Sequence, residues 1–152
     1  VERSRGLGDV YKRQTLSPTM PLRIVRLGTP RAAGEGTRIG TVRRPPRGVP
    51  KAEFASRDYY DVWYPLLSPS ADLMAQGQQV PTGQEGDKAW EAFAKQFRKE
   101  LAQPEASRTL DLLAALSHHS AMSLGCYCED EARCHRSVLR AELAGRGADI
   151  TD

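Results

Sequence analysis

Apolar side chains fall at Trp90, Phe93, Ala94, Phe97 and Leu101, in steps of three and four that trace one stripe of an amphipathic helix. Glu91, Lys95, Arg98 and Lys99 make the opposite, solvated face, and Asp87 is the expected N-cap. Pro104 opens a second helix, at a first-turn position where its missing N–H is not needed. Leu110, Leu113, Ala114 and Leu116 form its buried side, and it ends near Ser117. His118 and His119 then suit a helix C-terminus, where cations are favoured. Val138, Leu139 and Leu143 mark the inward face of a final helix over 137–143, with Gly145 as its stop. Short β-branched or apolar runs predict strands over 22–27, 37–42 and 121–126. Ser70 is placed to cap a short helical turn. Helix, strand and helix in the second half predict an α/β fold: a small, mostly parallel sheet flanked by helices in a single compact domain.

The polar gaps carry the remaining information. Residues 31–36 read as a loop. Residues 43–51 hold Pro45, Pro46 and Pro50, which remove donors and restrict their neighbours, so this basic stretch is neither helix nor central strand. It is either a solvated connection or a stiff cationic rim over an anion site. Tyr59, Tyr60, Trp63 and Tyr64 either pack over a core edge or stack on a ligand ring. Residues 75–87 are rich in Gln and Gly and predict a flexible loop, or an insertion between two halves of one domain.

At 152 residues, 39% apolar and 27% charged, the chain suits one globular domain. No apolar run approaches the roughly 20 residues that a bilayer crossing needs. Three cysteines within nine residues argue against a disulfide framework and for a reducing, cytoplasmic setting. The formal charge is +3, but residues 1–14 supply +2 of it, leaving weak evidence for nucleic acid. Residues 4–14 read like the translation of a transposase sequencing adapter. Residues 1–14 are therefore taken as an artefact, 1–19 as a non-native, disordered segment, and 20–152 as the domain, with Met20 its native start.

The chemistry concentrates in residues 124–136, read as strand, polar loop and helix. Cys126, Cys128, Cys134 and His135 offer three sulfurs and a nitrogen, enough for tetrahedral zinc. Cys134 and His135 are adjacent, however, and on a helix would point about 100° apart, so the stretch is expected to be free of metal. A thiol beside Arg133, His135, Arg136 and a helix N-terminus would instead be stabilised as thiolate. Six residues after Cys126 stands Ala132 and six after Cys128 stands Cys134, so the C-x5-R pattern of cysteine phosphatases is absent. A strand end followed by a helix start also presents free N–H groups to an anion. A purely structural role for the stretch remains open beside these.

The motif from Cys126 to Leu139 resembles the signature of the bacterial YeaO-like family, the domain of unknown function numbered 488. Arg43, Pro46, Arg47, Gly48, Val49 and Lys51 resemble that family's proline-arginine segment. Tyr60-Asp61-Val62-Trp63, Leu67-Ser68-Pro69-Ser70 and the helix from Trp90 to Leu101 match as well, so the likeness runs from about Leu22 to Ile150. Pro45 stands where many members carry an aromatic. The resemblance implies a small α/β domain and brings no activity with it.

Ligands of open α/β sheets sit at the carboxyl ends of strands. One such end precedes the arginine loop, another precedes the cysteine loop, and the two converge if their strands are parallel neighbours. The expectation is a pocket in which Arg43, Arg47, Lys51, Cys126 and Arg136 bind a small phosphorylated or nucleotide-like anion. Glu129, Cys134 and His135 are its candidate catalytic groups. No cofactor or oligomeric state is assigned. The rival is a non-enzymatic module that binds protein or nucleic acid through the aromatic and basic segments, with a structural cysteine loop.

Overall fold

The computed structural model describes residues 21–77, 83–128, 131 and 134–151. Five strands, β1 (Leu22–Arg26), β2 (Thr37–Gly40), β3 (Val62–Trp63), β4 (Met122–Cys126) and β5 (Ile150–Thr151), form one sheet in the order β3-β2-β4-β1-β5. All pairings are parallel. The helices are α1 (Ala71–Gly77), α2 (Gly83–Leu101), α3 (Pro104–Leu116) and α4 (His135–Gly145). The fold is α/β, as the sequence predicts.

Strand alternation sorts the sheet into two unlike faces. Leu22, Ile24, Ile39, Met122 and Leu124 point to one side and pack with Phe93, Phe97, Leu101, Leu110, Val138, Leu139 and Leu143 from the helices. Burying a side chain of this size contributes roughly 1.5–3 kcal/mol relative to leaving it in water, so this layer is the main source of stability.

The other face shows Arg38, Gly40, Ser123 and Gly125, and loops cover it instead of helices. β1 and β2 are parallel but separated by β4, so residues 27–36 must return across β4 to restart the chain at the same edge. Glu35 anchors that return, accepting a hydrogen bond from Ser123 Oγ on β4 at 2.6 Å. Its carboxylate also receives Arg38 Nε and Nη2 at 2.7 and 3.0 Å and the Ala32 N–H at 3.1 Å. Arg38 Nη1 then ties in the carbonyls of Thr29 and Asp58 at 2.8 and 2.7 Å. Farther along, Tyr60 lies flat on β2 because position 40 is glycine: a Cβ there would stand 2.4 Å from Tyr60 Cδ2.

Several element ends differ from expectation. α2 starts at Gly83, so Asp87 lies inside it and not at the cap. The polar residues 83–86 add no apolar stripe, and the periodicity that reveals the helix begins after its hydrogen bonding does. Residues 75–77 close α1 and 83–87 open α2, which trims the expected loop; residues 78–82 lie outside the described residues. α4 runs through Gly145, and the left-handed turn falls at Gly147 with φ +83°. Leu116 is 39% exposed and not on the buried side of α3. Ser70 caps α1 as expected, its Oγ accepting the Leu73 N–H at 3.2 Å. The N-terminal expectations concern residues 1–20, which are outside the described residues. Among the described residues no helix is long and apolar enough to cross a membrane.

Candidate functional site

β2 and β4 are parallel neighbours, with Gly40 opposite Gly125, so their carboxyl ends open side by side. The chain leaves β2 into the proline-stiffened basic loop and leaves β4 into the cysteine loop. Between them lies a cavity of about 640 Å³, closed on a third side by Ala71, Met74 and Ala75 of α1. Arg43, Arg44 and Arg47 line one wall, Tyr59 and Tyr127 another, and Cys126, Cys128 and His135 the floor.

The arginines differ in what they are free to do. Arg43 is half-buried and donates from Nε to the Pro69 carbonyl at 3.1 Å. Its Nη2 donates to Ser68 and Pro69 at 3.0 and 2.9 Å, so it mainly pins the start of α1 against the loop. Arg44 and Arg47 are exposed, and neither forms an ion pair with a described carboxylate. Tyr127 holds the loop in place by donating its hydroxyl to the Arg44 carbonyl at 2.9 Å. Burial keeps the Tyr127 phenol protonated well above its usual range. The prolines thus present two uncommitted guanidinium groups on a backbone of low entropy.

The floor is a cluster of sulfurs around one imidazole. Cys126 Sγ and Cys134 Sγ are 2.7 Å apart, and Cys134 Sγ is 3.8 Å from His135 Nδ1. The Cys128 N–H points at Cys126 Sγ over 3.4 Å. Cys134 is the N-cap of α4, extended at φ −120° and ψ 151°. It is therefore not a helical residue, and the angular objection to Cys134 and His135 acting together falls away. His135 is buried with its Nε2 2.6 Å from the Thr41 carbonyl. A carbonyl only accepts, so Nε2 carries the proton and the Nδ1 lone pair faces the sulfurs.

Hydrogen bonding among the three thiols splits their acidities. Contacts with Cys128 and Cys134, with burial behind them, push the Cys126 thiol up. Cys128 is drawn well below the ordinary thiol range by Cys126 and Cys134, and Arg136 adds to the effect. Cys134 is lowered as well, chiefly by Cys126. Such a cluster is suited to carry negative charge on sulfur, either as a thiolate or as a set of metal ligands.

Of the residues singled out from sequence, Arg43, Arg47, Cys126 and His135 line this cavity, and Cys134 backs its floor. Arg136 is buried behind the sulfurs, where Nη2 donates to the Cys128 carbonyl at 2.6 Å, and it does not line the cavity. Lys51 is exposed on a turn of 3-10 helix (Lys51–Glu53) and is also absent from the lining. Glu129 lies outside the described residues. Arg44, Tyr59, Tyr127 and Cys128 complete the lining without having been picked out for it. Arg44 and Tyr127 each follow directly on a residue that was, the one signal the sequence offered for them.

No curated protein and no solved structure matches the chain. A family model described as the active DUF488-N3 subclade, DUF488-N3a, matches residues 22–147. That span takes in every strand but β5, all four helices and both loops of the cavity, and the chain belongs to this DUF488 family.

Proposed function

We propose that the cavity binds a small phosphorylated or nucleotide-like molecule, with Arg44 and Arg47 taking the phosphate and Tyr59 and Tyr127 flanking the remainder. The observation that carries this reading is the pair of exposed arginines without a described carboxylate partner, fixed at the rim of a 640 Å³ cavity. Guanidinium groups suit the reading because their planar donor pairs match phosphate oxygens two at a time. The volume is that of a small-molecule site, which typically spans roughly 300–1,000 Å³. Its place at the carboxyl ends of parallel strands is where open α/β sheets take ligands.

The test is calorimetric titration with pyrophosphate, nucleoside monophosphates and nucleoside diphosphates at two salt concentrations. Binding by at least one probe is expected. Arg44→Ala and Arg47→Ala should each weaken it about tenfold or more, by removing a charge-assisted hydrogen bond worth roughly 1.5–3 kcal/mol. Equal affinity in wild type and both variants would refute the assignment. Binding only to oligonucleotides, falling steeply as salt rises, would favour a nucleic-acid module instead.

A further inference from the structure

We infer that Cys126, Cys128, Cys134 and His135 form a tetrahedral zinc site at the floor of the cavity. The inference goes beyond anion binding and does not depend on it, since Cys126, Cys134 and His135 converge whether or not the cavity holds a ligand.

Four observations support it. Cys126, Cys134 and His135 are all buried, and one ligand atom from each lies within 4.8 Å of the others. Cys128, next but one along the same loop, is held against the trio by its backbone N–H, which points at Cys126 Sγ over 3.4 Å, so a side-chain rotation brings in the fourth ligand. The imidazole is set as a metal-binding imidazole is: Nε2–H is held by the Thr41 carbonyl at 2.6 Å, and the Nδ1 lone pair faces inward. The last observation concerns charge. Arg136 is 3% exposed, its Nε has no partner, and its Nη2 donates to the Cys128 carbonyl at 2.6 Å. A buried guanidinium needs a counter-charge; among the described residues no carboxylate hydrogen-bonds it, and the sulfurs of Cys134 and Cys126 act on it ahead of the more distant Glu131. Three thiolates and a neutral imidazole around a divalent cation carry one net negative charge, which this arginine balances.

The donor set selects the ion. Thiolates with an imidazole in a closed, four-ligand arrangement favour zinc over magnesium, calcium or manganese. Zinc–sulfur bonds of about 2.3 Å and zinc–nitrogen bonds of about 2.0 Å place two tetrahedral sulfurs roughly 3.8 Å apart and a sulfur and a nitrogen roughly 3.5 Å apart. Cys134 Sγ and His135 Nδ1 stand close to that spacing, at 3.8 Å. Cys126 and Cys134, at 2.7 Å, open by about 1 Å, within reach of a small side-chain rotation. With four protein ligands the zinc is structural: it locks the end of β4 to the start of α4, and so fixes the wall of the cavity.

The experiment is elemental analysis of the full chain, untagged and purified under reducing conditions, together with cobalt(II) titration of the chelator-stripped protein. About one zinc per chain is expected, and cobalt should give the visible bands of a tetrahedral site with thiolate charge transfer in the near ultraviolet. Cys128→Ser should keep the fold and weaken cobalt binding at least tenfold. Unchanged cobalt affinity in that variant would overturn the four-ligand site. Wild-type protein that is folded by circular dichroism, lacks zinc, gives no cobalt bands and titrates as three free thiols would overturn the proposal. So would a Cys126–Cys134 disulfide found by mass spectrometry in place of metal. The phosphate titrations use separate variants, Arg44→Ala and Arg47→Ala, so failure of either reading is visible without the other.

Discussion

Replacing Glu35 with Gln should be among the most damaging single-atom changes available in this chain. The carboxylate accepts four hydrogen bonds, two from Arg38 and one each from Ser123 and the Ala32 backbone. The side chains of the pair are 1% and 2% exposed, so water cannot take over either charge. A Gln amide has one oxygen and one NH2, so whichever way it turns, at least one Arg38 N–H faces another donor. Arg38 keeps its charge and its bonds to the Thr29 and Asp58 carbonyls, but loses the anion that neutralises it. Breaking a buried pair from one side costs about 3–5 kcal/mol. Against a total stability of roughly 5–15 kcal/mol that is a large share, and it corresponds to a fall in Tm of roughly 10–20 °C. Urea unfolding followed by circular dichroism should show a lower midpoint with an unchanged slope. The double variant Glu35→Gln/Arg38→Met should be destabilised by much less than the sum of the two single changes, because the stranded charge is gone. A Glu35→Gln protein within about 1 kcal/mol of wild type would refute the reasoning, since Arg38 would then be finding water.

The remaining predictions rest on the same geometry. Hydrogen bonds from Arg38 and Ser123 overcome the burial penalty and hold the Glu35 carboxyl down to about 2, below its ordinary 4.5. The ionised form is therefore favoured by folding: its contribution is full above pH 4.5 and is lost as pH falls toward 2. The linked stability is on the order of 3 kcal/mol, so the stability gap between wild type and Glu35→Gln should narrow at pH 3, and an equal gap at pH 3 and pH 7 would count against the pair. Gly40→Ala should cost roughly 1–3 kcal/mol by driving a methyl into the Tyr60 ring, and Gly40→Ala/Tyr60→Ala should recover part of that loss in the same urea assay. Ser70→Ala should cost about 1 kcal/mol by orphaning the Leu73 N–H at the cap of α1, and a neutral result would show that water serves the cap equally well.

Elements that bury a continuous stripe could be read from the chain. Phe93, Phe97 and Leu101 repeat at helical spacing because one face of α2 meets the sheet, and strand β4 stands out because both its faces are covered. β3 and β5 could not be read that way: each has two residues, too few for a period of two to register. Helix ends were displaced where capping and polar first turns, not burial, decide them, as at Gly83 and Gly147.

The site was legible to the extent that it depends on strand order. Two loops that each carry charged or sulfur-bearing residues become one cavity because β2 and β4 pair in parallel, a condition the sequence could pose but not meet. Arg38 and Arg136 show what local reading misses. In sequence Arg38 is one more basic residue among twenty-two lysines and arginines and Arg136 reads as a pocket cation; in the fold both are buried, and each must be answered by a negative charge that comes from elsewhere. For Arg38 the answer is Glu35, three residues away yet set in place by Ser123 on another strand. For Arg136 no described carboxylate forms a hydrogen bond; the Cys134 and Cys126 sulfurs act on it most strongly, and Glu131 adds to them from farther off. The charge balance of a buried arginine thus points at the cysteine cluster from a direction independent of cysteine spacing, and gives a metal-thiolate centre at this position its physical reason.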